Sequence, residues 1–208
     1  MDLSTWYLTT PGPGAPTVKD LRAYTHPQFF YVDGGDLVFA AHAGGDTTRN
    51  STYPRSELRE LTHGGHAAWS TASGLHELSV TVAVTKAPPV KPQVVLAQIH
   101  DAEQDVVEVL YDGKKSGGAL VVRHPTPPHH TIMQPYALGT YVDVTVRVAG
   151  GVIDVLLDGE LRDSIRHEVD GCYFKTGCYV QSNPDRGDAP DAFGEVRFRR
   201  IDRPRHTG

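Results

Sequence analysis

Along this chain polar and apolar residues alternate far more often than they repeat at helical spacing. Between Tyr141 and Val148, valines occupy every second position, with Asp143, Thr145 and Arg147 between them. That is the period of a strand with one face in a core and one in water. Ala149-Gly150-Gly151 supplies a turn, and residues 152–157 return to Asp158-Gly159, so the segment predicts a β-hairpin. Further strands are predicted at residues 78–84, 94–100, 106–111, 119–123 and 195–201, divided by Ala87-Pro88-Pro89, Asp112-Gly113 and Gly117-Gly118. Many short strands with turns at this spacing predict an all-β fold, an antiparallel sandwich or curved jelly roll. Residues 18–25 are predicted to form one or two helical turns.

Three of the predicted strands carry an unusual polar face. In Arg55-Ser56-Glu57-Leu58-Arg59 the alternation groups Arg55, Glu57 and Arg59; in Gln98-Ile99-His100 it groups Gln98 and His100. In the strand that begins at Tyr173 it groups Tyr173, Lys175, Tyr179 and Gln181, while Phe174, Cys178 and Val180 point the other way. A sheet face in water normally carries solvating Lys, Glu and Thr. A collection of Arg, Gln, His and Tyr reads instead as a site.

A length of 208 residues fits one domain, residues 1–208, and the 21 glycines and 15 prolines suit many turns between short elements. The formal charge of −5 argues against a nucleic-acid partner, although Arg55, Arg59 and Lys175 would focus positive charge in one groove. No run of 18 apolar residues exists, so no membrane span is expected, and the N-terminus lacks the basic and hydrophobic regions of a signal peptide. Cys172 and Cys178 share a strand face roughly 20 Å apart at about 3.3 Å per residue, which predicts two free, packed thiols. Two loops rich in Gly, Asp and Asn, residues 44–53 and 183–192, abut polar-faced strands and are candidates to border one groove, as lids or as plain connections. His63, His66, His129 and His130 lie in loop-like sequence without carboxylate or Cys partners at ligand spacing and are read as surface residues; no metal site is assigned.

The three polar-faced segments resemble the signature regions of the alginate lyases of polysaccharide lyase family 7: Arg-Ser/Thr-Glu-Leu-Arg, Gln-Ile/Val-His and Tyr-Phe-Lys-x-Gly-x-Tyr-x-Gln. They stand in the family's order, and the opening Trp6-Tyr7-Leu8-Thr9 is similar to the family's first strand. The sequence departs from the family only at Thr176, where Ala is more usual, and at the variable position Cys178. The resemblance implies a β-jelly roll whose concave sheet forms a cleft for an acidic polysaccharide, alginate or a related polyuronate. It also implies cleavage by β-elimination without a catalytic metal or other cofactor. Ile99 in the second motif tends to accompany activity on guluronate-containing blocks.

Elimination removes the C5 proton of a uronate, which requires its carboxylate to be neutralised, and Arg55 and Gln98 are expected to do this. His100, with an ordinary pKa near neutrality, is suited to take the proton, and Tyr179 to give one to the leaving oxygen. Cations near Tyr179 would favour its phenolate, and it can then serve as the base itself, or do both jobs. Glu57 is expected to orient the two arginines by ion pairing, or to be a plain cross-strand salt bridge. Arg59, Lys175 and Gln181 are assigned, with Glu57, to substrate binding; for Arg59 and Lys175 a solvated-face reading stands beside this one. We expect a monomer without nucleic-acid or membrane partners, working outside the cell because the polymer is too large to cross a membrane. The rivals are a lyase for another polyuronate such as glucuronan, a glycan-binding jelly roll without activity, and a glycoside hydrolase. A binding module would rely on exposed aromatics, yet only Trp6 and Trp69 are tryptophans. A hydrolase would need a second carboxylate beside Glu57.

Overall fold

A computed structural model describes residues 1–62, 65–125 and 127–208; His63, read above as a surface residue, lies outside the described residues. The chain runs through β1 (Trp6–Thr9), β2 (Thr17–Val18), β3 (Phe30–Asp33), β4 (Asp36–His42), β5 (Arg55–Thr62), β6 (Gly65–His66), β7 (Leu75–Lys86) and β8 (Gln93–His100). It continues with β9 (Asp105–Asp112), β10 (Ala119–Arg123), β11 (His130–Met133), β12 (Val142–Ala149), β13 (Val152–Leu157), β14 (Glu160–Arg166), β15 (Tyr173–Val180), β16 (Phe193–Ile201) and β17 (Arg205–Thr207). Among the described residues the helical content is one 3-10 turn, Pro184–Arg186, and no helix is long and apolar enough to cross a membrane.

These strands make two antiparallel sheets packed as a jelly-roll sandwich. The first runs β11-β10-β9-β8-β15-β5-β1-β2, with β6 on β5; the second runs β14-β13-β12-β7-β16-β4-β3, with β17 on β7. Their inner faces meet in one core, with Leu58, Ile99 and Phe174 from the first sheet and Val80, Val146 and Phe198 from the second. Phe39 packs edge-on against both Phe30 and Phe198, at 5.1 and 5.2 Å between ring centroids. Both cysteines are free and buried.

The predicted hairpin is β12–β13, and each of the other predicted strands is present, several longer than expected. Residues 18–25 differ: they hold the end of β2 and a series of bends, not helix. Asp20 is the cause, because its carboxylate accepts hydrogen bonds from the backbone N–H and the guanidinium of Arg22. Such a local bond competes with a helical turn.

Candidate active site

The outer face of the first sheet is organised by strand register. Tyr7 pairs with Arg59, Arg59 with Lys175, Lys175 with Gln98, Gln98 with Glu108 and Glu108 with Arg123, so one polar row crosses six strands. At about 4.8 Å per strand the row is about 24 Å long. A second row places Tyr173 beside His100 and His100 beside Asp105. Glu57 faces Gly177, and Arg55 faces Tyr179. All eight residues assigned from the sequence therefore gather on one face, as the alternation predicts.

Glu57 is the hub of this face. Its carboxylate accepts from Arg55 Nη1 at 3.1 Å, Gln98 Nε2 at 2.5 Å and Lys175 Nζ at 2.5 Å, and the residue is 1% exposed. Burial alone would raise its pKa, but the charges of Lys175 and Arg55, with hydrogen bonds from Lys175 and Gln98, hold it below the ordinary carboxylate range. Burial lowers Lys175 to about 8, against the pull of Glu57. The expected pairing of Glu57 with both arginines is corrected in part: Lys175 takes the second place, and Arg59 lies over the Tyr173 ring at 3.7 Å. At 1% exposed and bonded to three neighbours, Glu57 is placed to orient them. Lys175, at 8% exposed, is no solvated surface residue.

Tyr179 lies under Arg55, whose guanidinium carbon is 3.7 Å from the ring centroid, and its hydroxyl is 3.2 Å from Ser51 Oγ. Burial raises its pKa and outweighs the opposing effects of Arg55 and Ser51. The free protein therefore holds a neutral phenol at Tyr179, not the phenolate that nearby cations suggest. His100 Nδ1 is 2.6 Å from the Asp101 carbonyl and 3.1 Å from the Tyr173 hydroxyl. A carbonyl only accepts, so Nδ1 carries the proton and Nε2 keeps its lone pair. Burial lowers the His100 pKa, which leaves the imidazole neutral at pH 7.

Three further residues escaped the sequence reading. Ser51 accepts from Arg55 Nη2 at 2.7 Å. Glu108 holds Arg123 through its Nε, and Arg123 Nη2 donates to Gln181 Oε1 at 2.9 Å. Burial pushes Glu108 up to about 7 despite Arg123. A lone Glu inside the apolar run Val106 to Leu110 was the available signal. The two long loops touch one another here: Asn183 donates to the Thr52 carbonyl at 3.0 Å and Arg186 to the Tyr53 hydroxyl at 3.0 Å. With Tyr179 and Gln181, residues 50–53 of the first loop border an open groove of 530 Å³; the second loop braces this rim and contributes no lining residue. Arg55 Nε, Arg59 Nε and Gln181 Nε2 are buried donors with no partner among the described residues.

The histidine reading needs one correction. His66 and His129 are exposed as expected, but His130 begins β11 and its Nδ1 lies 2.5 Å from Asp163 of β14. Among the described residues, His124, His130 and Asp163 form the one three-residue set able to hold a metal ion, and it sits away from Glu57 at the sheet edge.

A family profile described as alginate lyase matches residues 1–203. The alginate lyase AlgAT5 of polysaccharide lyase family 7 superposes with a TM-score of 0.94 at 39% identity, covering 100% of this chain and 96% of that one. An alginate lyase from Corynebacterium sp. does so at 0.91 and 32% identity, with 100% and 96% covered. One from Pseudomonas aeruginosa gives 0.88 at 26%, with both chains covered in full at 100%. No curated protein matches the chain. A continuous polar face on a jelly roll, and relatives that agree along the whole length, make this chain a polysaccharide lyase that belongs to the alginate lyases of family 7.

Proposed function

We propose that the enzyme cleaves 1,4-linked uronic acid polymers, alginate first among them, by metal-independent β-elimination, leaving an unsaturated uronate at the new non-reducing end. The observation that carries this reading is the cationic polar face itself, where Arg55, Gln98 and Lys175 converge on Glu57 with His100, Arg59 and Tyr179 beside them. A polymer with a carboxylate on every sugar is the ligand whose charge suits such a face. Arg55 and Gln98, both held by Glu57, neutralise the carboxylate beside the reacting carbon, and charge that develops there is stabilised without reorganisation. His100 takes the C5 proton at Nε2. Tyr179, a neutral phenol, donates to the leaving glycosidic oxygen.

Arg59, Lys175 and Gln181 serve the neighbouring sugars, Lys175 through the charge it brings to the Glu57 network. The long row from Tyr7 to Arg123 supports binding within a chain, hence endolytic cleavage. Preference for guluronate rests on Ile99, which is buried in the core and would act by setting the strand beneath Gln98 and His100. The enzyme is proposed to act as a monomer outside the cell.

The test is ultraviolet absorbance of the protein with polyguluronate, polymannuronate and glucuronan in separate cuvettes, beside a His100→Ala control. A rise that is fastest on polyguluronate and absent in the variant is expected. An equal rise in the variant would remove His100 as the base, and binding without any rise would leave a glycan-binding module.

A further inference from the structure

The edge strands of the two sheets, β11 and β14, meet at a cluster that the cleavage chemistry does not use. Asp163 projects from β14 between two imidazoles: its Oδ2 is 2.5 Å from His124 Nε2 and its Oδ1 is 2.5 Å from His130 Nδ1. The Asp163 and His124 side chains are 4% and 7% exposed, while that of His130 is 46% exposed. Among the described residues the carboxylate accepts from no Lys, Arg or backbone N–H. The three side chains thus bring two imidazole nitrogens and a carboxylate within 4.8 Å of one another, and a buried carboxylate is one that a protein normally compensates by pairing or by a metal.

We propose that His124, His130 and Asp163 form a structural site for a borderline divalent cation of the zinc type. Two imidazole nitrogens and one carboxylate oxygen are a donor set that such an ion prefers, whereas Ca²⁺ and Mg²⁺ prefer oxygen shells. In a tetrahedral shell with ligands about 2.0–2.1 Å from the ion, donors lie about 3.3 Å apart. Seating the ion on one carboxylate oxygen therefore asks the imidazole bonded to that oxygen to withdraw by about 0.8 Å. His130 lies at the surface and gives the ion a way in. The fourth position is left to water, which makes the site structural by its place and not by its coordination number.

The placement gives the ion a role. It would bind β14 of one sheet to the strand ends of β10 and β11 in the other, at the open edge of the sandwich. His124 follows Arg123 directly and borders the groove with Gln181. An ion there stiffens the rim that holds Arg123 without touching the reacting sugar.

The experiment is calorimetric titration of chelator-treated protein with Zn²⁺ alone, with Ca²⁺ as the contrasting probe, on wild type, His130→Gln and Asp163→Asn. One Zn²⁺ per chain is expected, weakened at least 10-fold in both variants. The melting temperature should rise by about 5–10 °C at an ion concentration 100-fold above Kd. Because the chain has 11 histidines, binding that persists in both variants would place the ion elsewhere and overturn the proposal. No binding to wild type would overturn it too, leaving the carboxylate held by its hydrogen bonds to the two imidazoles. Binding of Ca²⁺ at the same residues would overturn the ion class. If Asp163→Asn fails to fold by circular dichroism, the exposed His130→Gln decides alone. Alginate cleavage at saturating substrate is expected to be unchanged in His130→Gln, which separates this result from any failure of the lyase reading.

Discussion

The two sheets expose the same alternation of polar and apolar residues and use it differently. On β12 and β13 burial alternates with polarity, and the outward charges pair in solvent: Arg147 with Asp154 at 41% and 22% exposed, Arg200 with Asp143 at 46% and 52%. On β5, β8 and β15 polarity alternates but burial does not, and nearly every residue of either face is covered. The Arg55–Glu57 and Lys175–Glu57 pairs are 11%, 1% and 10% exposed by residue. Exposed pairs are worth little and tolerate loss, while a buried network fails when one member leaves. The covered polar face, the one proposed to carry the reaction, is therefore the fragile one.

Glu57→Ala breaks that contrast most severely. It strands Arg55 and Lys175 as buried, unpaired cations and frees Gln98, so a stability loss of about 3–5 kcal/mol is expected. Activity should fall by at least about 100-fold, the scale of losing one preorganised electrostatic partner. Urea unfolding and the absorbance assay measure both. A variant with wild-type unfolding would show that the three donors stand without their hub.

The sequence made this face legible because a period of two is a local property: Arg55, Glu57 and Arg59 can be grouped without knowing any neighbour. What it hid depends on register and on chain segments far apart. Glu108 meets Arg123 only because β9 and β10 pair as they do, and His130 meets Asp163 across the two sheets. Ser51 was hidden in a loop read as a border, although it holds both Arg55 and Tyr179. Strand β14 was missed because its edge position lets Glu160, Arg162 and Ser164 replace an apolar pattern. β3 and β4 went unread although they are largely apolar, for Asp33-Gly34-Gly35-Asp36 closes so short a hairpin that no long alternating run forms. The choice between phenol and phenolate at Tyr179 is left open by the sequence for a different reason, since it names the nearby cations but not the degree of burial that opposes them.

Glu108→Gln sharpens the comparison through pH. Burial raises Glu108 from 4.5 to about 7, and at 3% exposed it has little solvent screening. The folded protein then holds a proton that the unfolded chain has released, so this contribution to stability is full below pH 4.5 and is lost as pH rises through 7. Its size is about 3 kcal/mol, with a slope approaching 1.4 kcal/mol per pH unit. Urea midpoints at pH 5 and pH 8 should converge in the variant relative to wild type. An unchanged pH dependence would mean that Arg123 keeps Glu108 ionised.

Gly177→Ala tests whether the hub needs close backbone approach. Gly177 faces Glu57 at φ +151°, and a Cβ there would lie 2.5 Å from the Ser56 carbonyl and 2.7 Å from Glu57 Cα. Overpacking of this kind costs about 1–3 kcal/mol, and displacing Glu57 should lower kcat/KM by roughly 10- to 100-fold. Gly150→Ala, in the β12–β13 turn with open space around it at φ +55°, is the matched control. It should cost roughly 1 kcal/mol from backbone strain alone and leave kcat/KM unchanged. Equal activity losses in the two variants would trace the effect to stability and not to the site.

The smallest effect belongs to the solvated face. Arg147→Ala removes the Arg147–Asp154 bond of 3.2 Å and leaves Asp154 in water with its second bond, from the Ser164 hydroxyl at 2.7 Å. Stability should change by less than about 0.5 kcal/mol, and the change should shrink further at 1 M salt, where the screening length is about 3 Å. Cleavage of polyguluronate should match wild type. The value of so small an effect lies in what it excludes. The same removal of one partner from an Arg–carboxylate pair is made in Glu57→Ala, on a strand of the same length and alternation. If Arg147→Ala cost as much as Glu57→Ala, burial would not be what separates the two sheets, and the covered face would lose its claim to be singled out.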